Sequence, residues 1–152
     1  MLTLKKEMTY RFKTKGPLAP TNGSPRGPRQ YWEMTEGTLT GERINAKIAM
    51  PGGDWYNVSA DGFGRPDVRV QLITDDGEVI LLHYTGLVEQ TEVFKTAAAA
   101  GSETSWNDQY MRMMMNFDTG AEKYAWLNKS LFIAEGRLTG PAEIEYAIYR
   151  VE

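Results

Sequence analysis

Residues 68–84 read VRVQLITDDGEVILLHY, and this stretch decides the fold. Val68, Val70 and Leu72 alternate with Arg69 and Gln71, Asp75-Asp76-Gly77 supplies a tight turn, and apolar residues resume through Tyr84. Period-two alternation before an Asp-Gly turn and a second β-rich apolar run after it are a strong local signal for an antiparallel hairpin.

The same pattern extends in both directions. Short β-rich runs are predicted over residues 8–13, 30–35 and 37–49, with PGGDW (51–55) turning the chain into a short strand that ends at Ser59, and ADGFGRP (60–66) turning it again. Beyond the hairpin, strands are expected over 109–117, through the run 124–138, and over 142–151. In the run 109–117, Met111, Met113, Met115 and Phe117 share one face. Fifteen Gly and seven Pro act as punctuation, and four of the prolines fall in GPLAPTNGSPRGPR, where no regular strand or helix persists. Only VFKTAAAAGSETSWND combines alanines with helical length, so at most one or two short helices are expected, one of them within 91–105. Eight or nine short strands with no long amphipathic helix to cover a sheet imply an all-β, closed antiparallel β-barrel, because closure removes the edges. There is no internal repeat, and residues 1–152 fit one domain able to bury roughly 70% of its unfolded surface.

Composition excludes several function classes. Seventeen Lys+Arg against twenty Asp+Glu leave a net charge of -3, which does not attract a phosphate backbone, so no nucleic-acid partner is expected. Without cysteine there is neither a disulfide nor a thiolate nucleophile, which favours a reducing, cytoplasmic setting. Lys5 and Lys6 follow only a few apolar residues, no signal-peptide h-region is present, and no stretch approaches the ~20 apolar residues of a membrane span. The Gly-rich segments lack phosphate-loop spacing and read as turns. His83 is the single histidine: a metal site would have to add scattered carboxylates to it, no GxSxG elbow accompanies it as the base of a Ser-His triad, and no metal or cofactor is expected.

Polar parity is more informative. Asp67, Arg69 and Gln71 share one face of their strand, and Tyr110, Arg112 and Asn116 one face of theirs. Two readings stand: these faces are the wet outside of a barrel whose core is the Val/Met face, or they line a lumen that holds one small ligand. On the second reading, Asp54 beside Trp55 after a glycine pair presents a carboxylate whose desolvation would raise its pKa into a useful proton-transfer range. Arg69, central in its strand, would meet an anionic ligand group or a partner carboxylate. Tyr124, Trp126 and Asn128, at alternate positions, would form an aromatic wall with one orienting amide.

The segments GSPRGPR, GGDW, ADGFGRPDVRVQLITDDGEVI, YTG and TGAEKYAWLN, in this order and spacing, resemble the uncharacterised protein family 0311, also called domain of unknown function 3237. The resemblance runs from about Gly16 to the C-terminus. It implies a barrel of about eight antiparallel strands, similar in fold to allene oxide cyclase and calycin-like, and its pattern falls on Asp54, Trp55, Asp67, Arg69, Tyr84, Tyr124, Trp126 and Asn128 among others. His83 and the stretch 93–115 match nothing distinctive of that pattern.

The resulting expectation is a barrel pocket that binds a small apolar or aromatic metabolite and performs cofactor-free acid/base chemistry: cyclisation, isomerisation or elimination. Asp54 would be the general acid/base, Arg69 the anion or oxyanion stabiliser and Tyr84 a hydroxyl donor, with Trp55, Tyr124, Trp126, Asn128, Arg112 and His83 contacting the ligand. Asp54, Arg69, Tyr84, Tyr124 and Trp126 would converge on one cavity. The rival readings are a non-catalytic carrier or sensor with the same pocket, and a structural homo-oligomer, in the simplest case a homodimer.

Overall fold

The structure, a computed structural model, describes residues 1–152. Nine strands form in chain order: β1 (Leu4–Lys15), β2 (Arg29–Gly41), β3 (Asn45–Val58), β4 (Phe63–Arg65), β5 (Asp67–Thr74), β6 (Val79–Glu89), β7 (Met111–Asp118), β8 (Phe132–Gly140) and β9 (Glu143–Val151). One helix, α1 (Glu92–Ala100), follows β6. Its start is fixed by Thr91, whose Oγ1 accepts the Phe94 N–H at 3.1 Å, and its end by Gly101 at φ 66, inside the window the alanines predict.

Eight of the strands form a ring in the order β1-β2-β3-β5-β6-β7-β8-β9 and back to β1, every pairing antiparallel. The ring is uneven, since the β7–β8 ladder runs only from Arg112 to Met115. The short β4 bridges β3 and β6 at the end of the barrel where Pro66 interrupts the chain ahead of β5. The hairpin of residues 68–84 is β5–β6, with Val68 opposite Tyr84 and Leu72 opposite Ile80.

The two readings of the polar faces are now separated. Val68, Val70, Leu72, Leu82, Met113 and Met115 are buried inside the ring, whereas Arg69 and Asn116 are exposed and Asp67, Gln71 and Arg112 half-exposed on its outside. The lumen is therefore packed with the Val/Met face, each such side chain contributing roughly 1.5–3 kcal/mol by leaving water. A strand running Asp-Val-Arg-Val-Gln-Leu has one parity to bury, and burying the charged parity would strand Arg69 without water.

Three local expectations are corrected. PGGDW does not turn the chain: β3 runs through it with bulges on either side of Met50, because a Cβ at Gly52 would come within 2.7 Å of the Val70 side chain and one at Gly53 would overlap the Tyr31 ring. The glycines are there for close packing. The run 37–49 is divided by a turn after Gly41, so β2 and β3 are the two arms of a long hairpin. The run 124–138 does not begin as a strand, since two 3-10 turns, Glu122–Tyr124 and Leu127–Lys129, precede β8. The Asn128 side chain accepts the Thr119 N–H at 3.0 Å and donates to the Thr119 carbonyl at 2.7 Å, tying this coil back on itself. No helix is long and apolar enough to cross a membrane.

Candidate functional site

At the end of the ring where β4 and α1 sit, the packed core gives way to a cavity of about 360 Å³. Its walls follow from strand parity. On β2, Gln30, Trp32 and Met34 face inward, and on β3 Asp54, Tyr56 and Val58 do the same. Trp32 is the register partner of Asp54, and Gln30 of Tyr56, so the two strands deliver their polar and aromatic groups side by side. Tyr84 of β6 and Tyr146 of β9 form the floor, their rings edge-to-face at a centroid distance of 5.7 Å. Phe94 and Ala98 of α1 form a roof, and the β8–β9 turn closes one side through Gly140 and Ala142, the latter at φ 54.

Asp54 is the one acidic group in this lining. Its Oδ1 accepts the Asp67 backbone N–H at 3.0 Å, and its other oxygen makes no hydrogen bond within the protein. Desolvation pushes its pKa up to about 7, the Asp67 N–H bond opposes that shift, and the nearby Asp67 charge adds to it. Tyr84 is fully buried and its hydroxyl has no hydrogen-bond partner. The Tyr56 hydroxyl accepts from Gln90 Nε2 at 2.7 Å. Burial, with a further contribution from the Asp54 charge, holds Tyr56, Tyr84 and Tyr146 well above the ordinary tyrosine pKa, so all three stay protonated. Tyr56 reaches its place only because residue 64 is glycine: a Cβ there would overlap the Tyr56 hydroxyl.

Of the nine residues singled out from the sequence, Asp54 and Tyr84 meet in this cavity and the other seven do not. Trp55 turns outward by the alternation of β3, is 54% exposed and packs on Tyr31 at 4.8 Å between ring centroids. Arg69 and His83 lie on the outer face, each 3.1 Å from Asp67 Oδ1. Arg112, also outside, pairs with Glu135 at 3.5 Å and lies over the Tyr110 ring. Tyr124, Trp126 and Asn128 are at the opposite end of the barrel, near the β5–β6 turn. There the Tyr124 hydroxyl donates to Asp76 Oδ1 at 2.7 Å, and the Arg43 guanidinium stacks 3.6 Å from the Trp126 ring. The expected five-residue convergence therefore reduces to two, because barrel closure collects residues by face and by height, and only Asp54 and Tyr84 share both.

The structure adds Trp32, Tyr56, Gln90 and Tyr146 to the site. The signal for the first two was present in the alternation Gln30, Trp32, Met34 and Asp54, Tyr56, Val58, which places an aromatic on the inward parity of each strand. Nowhere do three or more His, Cys, Asp or Glu side chains cluster in a way that could hold a metal ion.

The family described as "Protein of unknown function (DUF3237)" matches residues 2–151. The chain belongs to this family. A UPF0311 protein from Clostridium acetobutylicum is 29% identical over 108 residues, covering 70% of this chain and 68% of its own. A solved structure from Acinetobacter baumannii described as a beta-barrel like protein has TM-score 0.82 at 25% identity, covering 100% of this chain and 97% of that one. A structure described as an enzyme from Penicillium herquei has TM-score 0.68 at 19% identity, covering 99% and 95%, a likeness of fold alone. The beta-barrel like description of the Acinetobacter baumannii neighbour agrees with the ring of strands seen in this DUF3237 chain.

Proposed function

We propose that the cavity binds a small apolar or aromatic metabolite and that Asp54 acts there as a cofactor-free general acid/base. One observation carries the reading: a carboxyl group with an unbonded oxygen faces a largely apolar cavity, where desolvation pushes its pKa up to about 7. Such a group is half ionised at neutral pH, which is the condition for both taking and returning a proton. In an isomerisation or cyclisation, the unbonded oxygen of Asp54 removes a proton from one atom of the bound molecule, and the same oxygen returns it to another. No electrons are gained or lost. The neutral Tyr84 hydroxyl supports the step by donating to an oxygen on which negative charge develops. The Penicillium herquei neighbour, described as an enzyme, is compatible with this reading. A reducing, cytoplasmic setting, which the cysteine-free sequence favours, is part of the same proposal.

A carrier would use the same walls and release its molecule unchanged. The deciding experiment incubates wild-type and Asp54→Asn protein with a small-molecule extract of the source cells and identifies bound and free molecules by mass spectrometry. Catalysis predicts a compound that wild type consumes and the variant only retains. Recovery of one unchanged compound from both would move the reading to a carrier or sensor.

A further inference from the structure

The lining of the cavity contains no Lys, Arg or His. Two basic side chains of the neighbouring strands are paired on the outer face instead: Arg69 with Asp67 and Arg112 with Glu135. Asp54 is the single ionisable acid inside, surrounded by Trp32, Tyr56, Tyr84 and Tyr146. A ligand carboxylate or phosphate would enter a poorly solvated space with no counter-charge and meet a carboxylate once Asp54 ionises.

Hydrogen-bond accounting narrows the choice further. The buried Tyr84 hydroxyl has no partner, and its proton needs an acceptor. The Tyr56 hydroxyl uses a lone pair on Gln90, which leaves its own proton free to donate. An ammonium ligand brings only donors, so it would match Asp54 but leave both hydroxyl protons without acceptors. A neutral carbonyl satisfies the hydroxyls and places no charge in the apolar walls.

We infer that the pocket selects an uncharged aromatic molecule bearing a carbonyl-type oxygen, which accepts from the Tyr84 hydroxyl while the molecule's exchangeable proton faces Asp54. This rests on the reading of the cavity as a ligand site, and it adds that anionic and cationic analogues of the same size are rejected.

The test uses three probes of one ring system that differ in charge: acetonaphthone, naphthoate and naphthylmethylammonium. Binding to the intact protein is measured by calorimetry at pH 8, where Asp54 is mostly ionised. The expected result is that acetonaphthone binds and both ions bind at least tenfold more weakly. Tyr84→Phe, with its circular dichroism unchanged, should weaken acetonaphthone several-fold, and Asp54→Asn should narrow the gap to naphthoate. Naphthoate binding as tightly as the ketone, or the ammonium binding best, would overturn the inference while leaving the acid/base reading intact. Failure of all three to bind would remove the inference together with the pocket on which it rests. Ketone-selective binding in a protein that transforms no metabolite would sink only the acid/base reading.

Discussion

Trp32 stands directly across from Asp54 in the β2–β3 register and both turn into the cavity, while Trp55, the chain neighbour of Asp54, turns out onto Tyr31. The indole that reports on this carboxyl is therefore Trp32. Its emission should change with pH about a midpoint near 7, the value to which desolvation pushes Asp54. Asp54→Asn should abolish the transition and Trp32→Phe should remove most of its amplitude, with Trp55→Phe leaving it in place. A transition that survives Asp54→Asn would assign it to another group.

The same carboxyl costs stability when it ionises. Its folded pKa of about 7 lies above the ordinary 3.8, so between those values the native state binds more protons than the unfolded chain. Stability therefore falls as pH rises through this window, with the whole cost present above about 7 and none below the ordinary value. Asp54→Asn keeps the acceptor for the Asp67 N–H and removes the charge. The variant should be more stable than wild type at pH 8, by on the order of 1–3 kcal/mol, and indistinguishable from it at pH 4. Urea unfolding at the two pH values measures the difference. Equal effects at both would mean that Asp54 is solvated.

Much of the fold was legible because alternation carries it. The parity of Val68, Val70 and Leu72, and of Met111, Met113 and Met115, determines which face is buried, and the DDG turn sets the β5–β6 register. The site was only half legible. Asp54 was identified from its neighbour Trp55, but the aromatic wall it faces comes from Trp32, some twenty residues away in sequence and adjacent only through pairing. Tyr124, Trp126 and Asn128 looked like one face of a strand, yet the 3-10 turns rotate them apart, and such turns depend on contacts like Tyr124–Asp76 that no local pattern announces.

Gly64 is the tightest packing constraint on the site. It is buried in β4, opposite Val58 and Val88, and any Cβ there would overlap the Tyr56 hydroxyl. Gly64→Ala should force the Tyr56 ring aside, break its hydrogen bond with Gln90 and cost about 1–3 kcal/mol of stability. Chemical denaturation measures the loss. The double variant Gly64→Ala with Tyr56→Phe should recover only a small part of it, because the hydroxyl goes but the ring carbon Cζ, 2.2 Å from the same Cβ, stays. A single variant as stable as wild type would show that Tyr56 moves freely and is not held for a role in the cavity.

The outer face retains one influence on the cavity, transmitted as charge. Arg69 and His83 both lie 3.1 Å from Asp67 Oδ1, and Asp67 in turn gives its backbone N–H to Asp54 while its negative charge helps raise the Asp54 pKa. Arg69 is 66% exposed, and an exposed ion pair contributes only about 0–1 kcal/mol, so Arg69→Ala should barely change the melting temperature. Asp67→Asn is the sharper variant, because it keeps the backbone donor and deletes the charge. Removing a nearby negative charge favours the ionised carboxyl, so the Trp32 fluorescence midpoint should fall below its wild-type position. Arg69→Ala, which leaves the Asp67 charge less compensated, should move that midpoint in the opposite direction. A midpoint unchanged in both variants would mean that the outer cluster is only a solvated ion pair and that desolvation alone sets the proton affinity of Asp54.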